Sequence, residues 1–107
     1  MGLERYPDEA IGLPNYVEAL QGEALLVNQQ RVRVTAGGAG NLTLPPVNEA
    51  IGKFYSIIVR NGTTYTVTVI DAGDSEIAVS IAIAVDAGYA VLYSDGTCWY
   101  PLVSVIA

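Results

Sequence analysis

Turn signals recur about every ten residues through most of this chain, a spacing that suits short β-strands and leaves no room for long helices. They are Asn61-Gly62, Asp71-Ala72-Gly73-Asp74, Asp86-Ala87-Gly88 and Asp95-Gly96. Asn-Gly and Asp-Gly are the strongest signals for a two-residue type I′ hairpin. Residues 54–60 and 63–70 therefore read as one hairpin, and residues 89–94 and 97–103 as another. Residues 77–85 form an apolar strand between them. Upstream, residues 24–27 and 31–35 flank Asn28-Gln29-Gln30 as a third hairpin, with Val32 and Val34 alternating against Arg31, Arg33 and Thr35. Gly37-Gly38-Ala39-Gly40-Asn41 breaks the sheet. It has no following Lys and no strand-to-helix setting, so it reads as a connector and not a phosphate cradle. Pro45-Pro46 ends a short strand at residues 42–44, because proline cannot donate to a ladder.

The expected fold is all-β: a small antiparallel sandwich or barrel, jelly-roll-like, over residues 23–107, preceded by an extended N-terminal arm at residues 1–22. Pro7 and Pro14 forbid a long helix in that arm. Its Leu3, Tyr6, Ile11, Leu13, Tyr16 and Val17 are many apolar side chains to leave in water. A neighbouring protein surface would cover them, although a disordered leader is the plainer reading of a terminus.

A two-residue turn fixes register. Around Asn61-Gly62, Ile58 is expected opposite Tyr65, Ser56 opposite Val67 and Phe54 opposite Val69, and this face is expected to be the core. The other face would pair Tyr55, Ile57 and Val59 with Thr68, Thr66 and Thr64. Bulky apolar residues opposite threonine suggest a half-covered surface, so Tyr55, Ile57 and Val59 are the expected self-association residues. Around Asp95-Gly96, Leu92 should face Trp99, Tyr93 should face Cys98 and Val91 should face Tyr100. Tyr89, Tyr93, Trp99 and Tyr100 then form an aromatic cluster, either core or a stacking platform. In residues 77–85, Ile77, Val79, Ile81, Ile83 and Val85 make a bulky face. Ala78, Ser80, Ala82 and Ala84 make a small one, packed within the subunit or lying close to a symmetry axis.

Composition says what such a protein does not do well. The chain has 107 residues, one domain's worth, of which 51% are apolar and 15% charged. So little charge leaves apolar surface over, which an oligomer or partner-bound subunit would bury and which a compact Ala- and Gly-rich monomer would expose. A net charge of −6 disfavours nucleic acid and anionic membranes, so no nucleic-acid and no membrane partner is expected. The basic residues read as scattered apart from Arg31 and Arg33, and a charged partner is expected to be basic.

The chain has no histidine and one cysteine, Cys98, so histidine triads, intrachain disulfides and cysteine metal clusters are out of reach. Asp71, Asp74 and Glu76 share a loop without the ligand spacing of an EF-hand, and turn chemistry accounts for each Asp beside a Gly. No catalytic residue, metal or cofactor is expected; a carboxylate-pair hydrolase is the enzymatic alternative. The first residues hold no apolar run, and residues 77–85 are far shorter than the ~20 that a membrane helix needs. Synthesis in a reducing, soluble compartment is expected.

The run from Leu44-Pro45-Pro46-Val47-Asn48-Glu49-Ala50 through Ile51-Gly52-Lys53-Phe54-Tyr55-Ser56-Ile57 resembles a segment of small β-modules in tailed-bacteriophage virion proteins. Thr66-Val67-Thr68-Val69 with its Asp-Ser loop, and the closing Val91-Leu92-Tyr93-Ser94-Asp95-Gly96-Thr97-Cys98-Trp99-Tyr100, share the likeness, which spans about residues 42–103. The resemblance implies a structural role and no catalytic residues. With a short arm in place of a long shaft, it implies a capsid decoration (cement) protein, usually trimeric. Such a protein sits on the capsid exterior and binds across major capsid protein subunits after synthesis in the host cytoplasm. Tyr6, Ile11, Leu13 and Tyr16 are then the expected partner-binding residues. A tail-fibre or head-fibre module that binds a host-surface glycan or protein, with Tyr89, Tyr93, Trp99 and Tyr100 on the ligand, is the alternative. A cellular adhesion or scaffold module is a further one.

Overall fold

The computed structural model describes residues 17–106. Eight strands form: β1 (Val17–Ala19), β2 (Arg31–Thr35), β3 (Gly40–Thr43), β4 (Phe54–Arg60), β5 (Val67–Ile70), β6 (Ser80–Ile83), β7 (Gly88–Ser94) and β8 (Trp99–Val105). No helix occurs among the described residues, so the fold is all-β as expected. Five strands make one sheet, sheet A, in the order β1-β2-β4-β7-β8. The other three make sheet B, in the order β3-β5-β6.

The sheets are mixed and not antiparallel. β1 runs parallel to β2, β2 to β4 and β3 to β5, while β4–β7, β7–β8 and β5–β6 are antiparallel. Parallel neighbours need a crossover: β3 of sheet B lies between β2 and β4, β4 of sheet A lies between β3 and β5, and the connection from β1 to β2 touches sheet B through an isolated bridge from Ala24 to Thr43. The chain passes from β2 in sheet A to β3 in sheet B, back to β4, then to β5 beside β3. Both sheets feed one core that includes Val32, Val34, Leu42, Leu44, Tyr55, Ile57, Val59, Val67, Val69, Ile83, Leu92 and Trp99.

This winding overturns two of the three expected hairpins. Residues 24–27 do not pair with β2. Ala24 instead bridges Thr43 in parallel, and the Leu25 N–H donates to the Thr43 carbonyl at 2.8 Å. Asn61-Gly62 does not join paired strands either, because β4 lies in sheet A and β5 in sheet B. A type I′ turn needs positive φ at both central residues, and only Asn61 has it, at 64°. The N–H groups of Thr64 and Tyr65 both donate to the Asn61 carbonyl, so the chain coils once and leaves the sheet. Gly62 is required by crowding: a Cβ there would lie 2.3 Å from the Val85 carbonyl oxygen.

The Asp95-Gly96 hairpin does form, with a register two residues from that expected. Tyr93 faces Tyr100 and Ser94 faces Trp99, around a four-residue loop closed by the Asp95 N–H donating to the Cys98 carbonyl. A shift of two preserves the faces, so Leu92 and Trp99 still share the buried side. A bulge between Val91 and Leu92 follows.

Within the stretch expected as an extended arm, Val17–Ala19 pair with β2 as strand β1. Residues 77–79 are loop where strand was expected. The Asp71 carboxylate accepts the Val79 N–H at 2.9 Å, and the Glu76 N–H donates to the Thr97 carbonyl, pinning residues 71–79 to the β7–β8 turn. The short strand that remains, β6, is an edge with its small side chains Ser80 and Ala82 exposed.

Candidate interaction surface

Alternation along β4 decides which side chains meet solvent. Tyr55, Ile57 and Val59 are wholly buried, and Phe54 and Ile58 are 54% and 40% exposed. This inverts the expected faces. Assigning Tyr55, Ile57 and Val59 to self-association is corrected accordingly, since these side chains fill the core of one chain and offer nothing to a second. The expectation failed because it rested on the absent 61–62 hairpin. With β5 in the opposite sheet, β4 is flanked by β2 and β7, and its bulky face turns toward sheet B. The buried Tyr55 hydroxyl, its pKa raised by burial, donates to the Val27 carbonyl, and its ring meets Trp99 edge-on at 5.2 Å.

The outward face of sheet A is continuous across its strands. In register, Phe54 stands beside Tyr93, Ser56 beside Val91 and Ile58 beside Tyr89. Beyond them Tyr100, Val103 and Val105 of β8 face Tyr93, Val91 and Tyr89. Phe54 and Tyr93 pack with ring centroids 4.8 Å apart. The expected four-membered aromatic cluster therefore divides. Tyr89, Tyr93 and Tyr100 lie on the outer face, and Trp99 is 1% exposed in the core, so it cannot stack a ligand.

β8 is the outer edge of this sheet, and from Tyr100 to Val105 every residue is exposed. Leu102 and Val103 are each about half exposed and carry no charge. A long uncharged edge presents unpaired backbone groups and invites another chain. Pro101 and the bulge are the two features that interrupt it.

Charge occupies the opposite half of the same face. Arg31, Arg33, Lys53 and Arg60 are all the basic residues between positions 17 and 106. Arg31 and Arg33 project outward from β2 opposite Ser56 and Ile58, and Arg60 ends β4 on the same side. Glu18 of β1 forms an ion pair with Arg33 and accepts from the Thr35 hydroxyl at 3.4 Å. Ser56, small and exposed, leaves a depression between these rows. One open cleft of about 440 Å³ is lined by Arg31, Arg33, Ser56, Ile58 and Tyr89. A second, of about 660 Å³, is lined by Val17, Gln30, Arg31, Lys53, Phe54, Ser56 and Val91. Arg31 and Ser56 border both.

The acidic loops serve the fold. Asp95 accepts from the N–H groups of Thr97 and Cys98 at 2.9 and 2.8 Å and from the Tyr100 hydroxyl at 2.8 Å. These bonds, Thr97's foremost, hold its carboxyl well below the usual carboxylate range, and the Asp95 bond pushes the Tyr100 phenol up to about 12. Asp71 is pushed up by desolvation, but the N–H donors of Val79, Gly73, Asp71 and Ser75 outweigh this and lower it. Asp74 accepts the Val47 N–H at 3.1 Å. Glu76 meets the buried Cys98 thiol at 3.7 Å. Among the described residues, no three His, Cys, Asp or Glu side chains gather as a metal ion would require.

Tyr6, Ile11, Leu13 and Tyr16, the expected partner-binding residues, lie outside the described residues. The gathering of the cations escaped sequence reading, because it depends on the parallel β2–β4 pairing that places Arg31 and Arg33 beside Ser56 and Ile58. No protein-family model matches the chain, and no curated protein sequence matches it.

Proposed function

We propose that the chain is a structural subunit that acts by binding protein surfaces. The observation that carries this is β8, an uncharged edge strand with exposed apolar side chains that continues onto the outer face of β7 and β4. On a small monomer such a strand is an aggregation liability, and burial in an interface removes it. We read the two sheets as a jelly-roll-like sandwich closed over their shared core. The phage-module likeness of residues 42–103 supports the narrower role of capsid decoration: a homotrimer on the virion exterior bridging major capsid protein subunits. Self-association is assigned to the β8 edge in place of the buried Tyr55, Ile57 and Val59. The arm residues Tyr6, Ile11, Leu13 and Tyr16 are assigned to the capsid.

The test is immunogold labelling of virions from a phage that carries the coding sequence, with antibodies raised against the purified chain. Regularly spaced label over the head is the expected result. Label at the tail tip would transfer the protein to the fibre class, and unlabelled particles would refute the virion role.

A further inference from the structure

The whole chain is acidic, and its composition points to a basic partner. The outer face of sheet A points the other way. We infer that the β2–β4 half of this face docks an extended acidic polypeptide segment, one carboxylate side chain seated at Arg31 and apolar side chains on either side of it.

Three observations converge on that occupant. First, every basic residue between positions 17 and 106 belongs to this side of the molecule or lines its clefts, while the net charge of the chain is −6. A carboxylate approaching elsewhere is repelled, and one approaching here is attracted. Second, the two clefts meet at Arg31 and Ser56. Their volumes of about 440 and 660 Å³ lie within the range of ligand pockets. In an extended segment, side chains two residues apart are roughly 7 Å apart on one face, so apolar-x-acidic-x-apolar is the pattern that fills a cation between two receptacles. Third, both clefts carry apolar side chains beside the cation. Ile58 and Tyr89 make one cleft mainly apolar, and Phe54 and Val91 stand among the polar Gln30, Lys53 and Ser56 of the other. Those apolar side chains gain nothing from a bare phosphate or sulfate chain, and a long polyanion would run onto the acidic remainder of the surface. A polypeptide confines its negative charge to a few side chains and offers apolar ones between them. The exposed Arg31 has the geometry for a bidentate carboxylate contact, while Glu18 already occupies Arg33.

This inference rests on the protein-binding half of the proposed function and not on its virion half. Its test therefore uses no capsid. The full chain is immobilised and presented with displayed random peptides of about twelve residues, roughly 40 Å when extended, at about 0.15 M salt. Retained peptides are counter-selected on the Arg31→Glu variant. The expected winners carry Asp or Glu with apolar residues two positions away on both sides. Their synthetic forms should bind Arg31→Glu at least about tenfold more weakly, with partial recovery in Arg31→Lys. Arg31 is exposed, so the urea midpoint read from Trp99 should be unchanged and the loss not one of folding. An empty selection, neutral or basic winners, or indifference to Arg31→Glu would overturn the inference. So would heparin or a single-stranded oligonucleotide binding more tightly than the best peptide. A change in oligomeric state in Arg31→Glu would also overturn it, by assigning the face to a second copy. Failure here leaves virion labelling untouched, and failure of labelling leaves this result standing.

Discussion

Replacing Ile57 and Ile58 separately with alanine asks which face of β4 is the core. Ile57 has no exposed surface and packs in the cluster shared by both sheets, whereas Ile58 is 40% exposed on the outer face. Truncating a fully buried isoleucine costs about 2–5 kcal/mol, through lost transfer free energy and the cavity left behind. The exposed neighbour, with no cavity to leave, should cost under about 1 kcal/mol. A difference of at least about 1 kcal/mol is therefore expected between two alanines adjacent in sequence. Urea unfolding followed by Trp99 fluorescence measures it cleanly, because Trp99 is the only tryptophan and is 1% exposed. Equal costs, or a larger cost at Ile58, would refute the inward assignment of Tyr55, Ile57 and Val59 and restore the hairpin register.

Gly62→Ala should destabilise by about 1–3 kcal/mol, since its Cβ would meet the Val85 backbone; Gly37→Ala, with nothing within 4 Å, serves as the control in the same melts. A folded-state pKa held below its unfolded value gives stability that is fully present above the ordinary carboxylate range and lost as pH falls from there through the depressed folded value. Asp95→Asn should accordingly be less stable at pH 7 and show a shallower acid limb in urea midpoints taken across pH. The Tyr100 phenol works in the opposite sense: its contribution is full below 10.0 and declines toward about 12, so Tyr100→Phe should flatten the alkaline limb. Cys98 should react slowly with a thiol reagent in the native protein and quickly in denaturant, because its thiol is buried.

What was readable in the sequence was local, and what was not was the partnering of strands. Alternation in residues 54–60 marks β4 without ambiguity, and its period holds in the structure. Which of its two faces turns inward depends on the strands beside it. Asn61-Gly62 pointed to β5, and the parallel crossover gave β2 and β7 instead. Asp95-Gly96 succeeded because its strands do remain neighbours, and the four-residue loop moved the register by two without changing sides. Residues 77–85 show a different limit. Their alternation predicts a long strand, yet bonds from the loop at Asp71 to Val79 and from Glu76 to Thr97 shorten it to β6. The cationic half of the outer face was unreadable for the same topological reason. Arg31, Lys53 and Arg60 are distant in sequence, and only the β2–β4 pairing gathers them on one side.

The exposed edge strand β8 is proposed as the surface through which copies of the chain associate. Multi-angle light scattering of the purified chain, alongside Val103→Glu, tests it most directly. Val103 is 51% exposed, so a charge there should leave the fold intact and penalise only a buried contact. A trimer is expected for the native chain and a monomer for the variant. A native monomer, or a variant that remains trimeric, would contradict it.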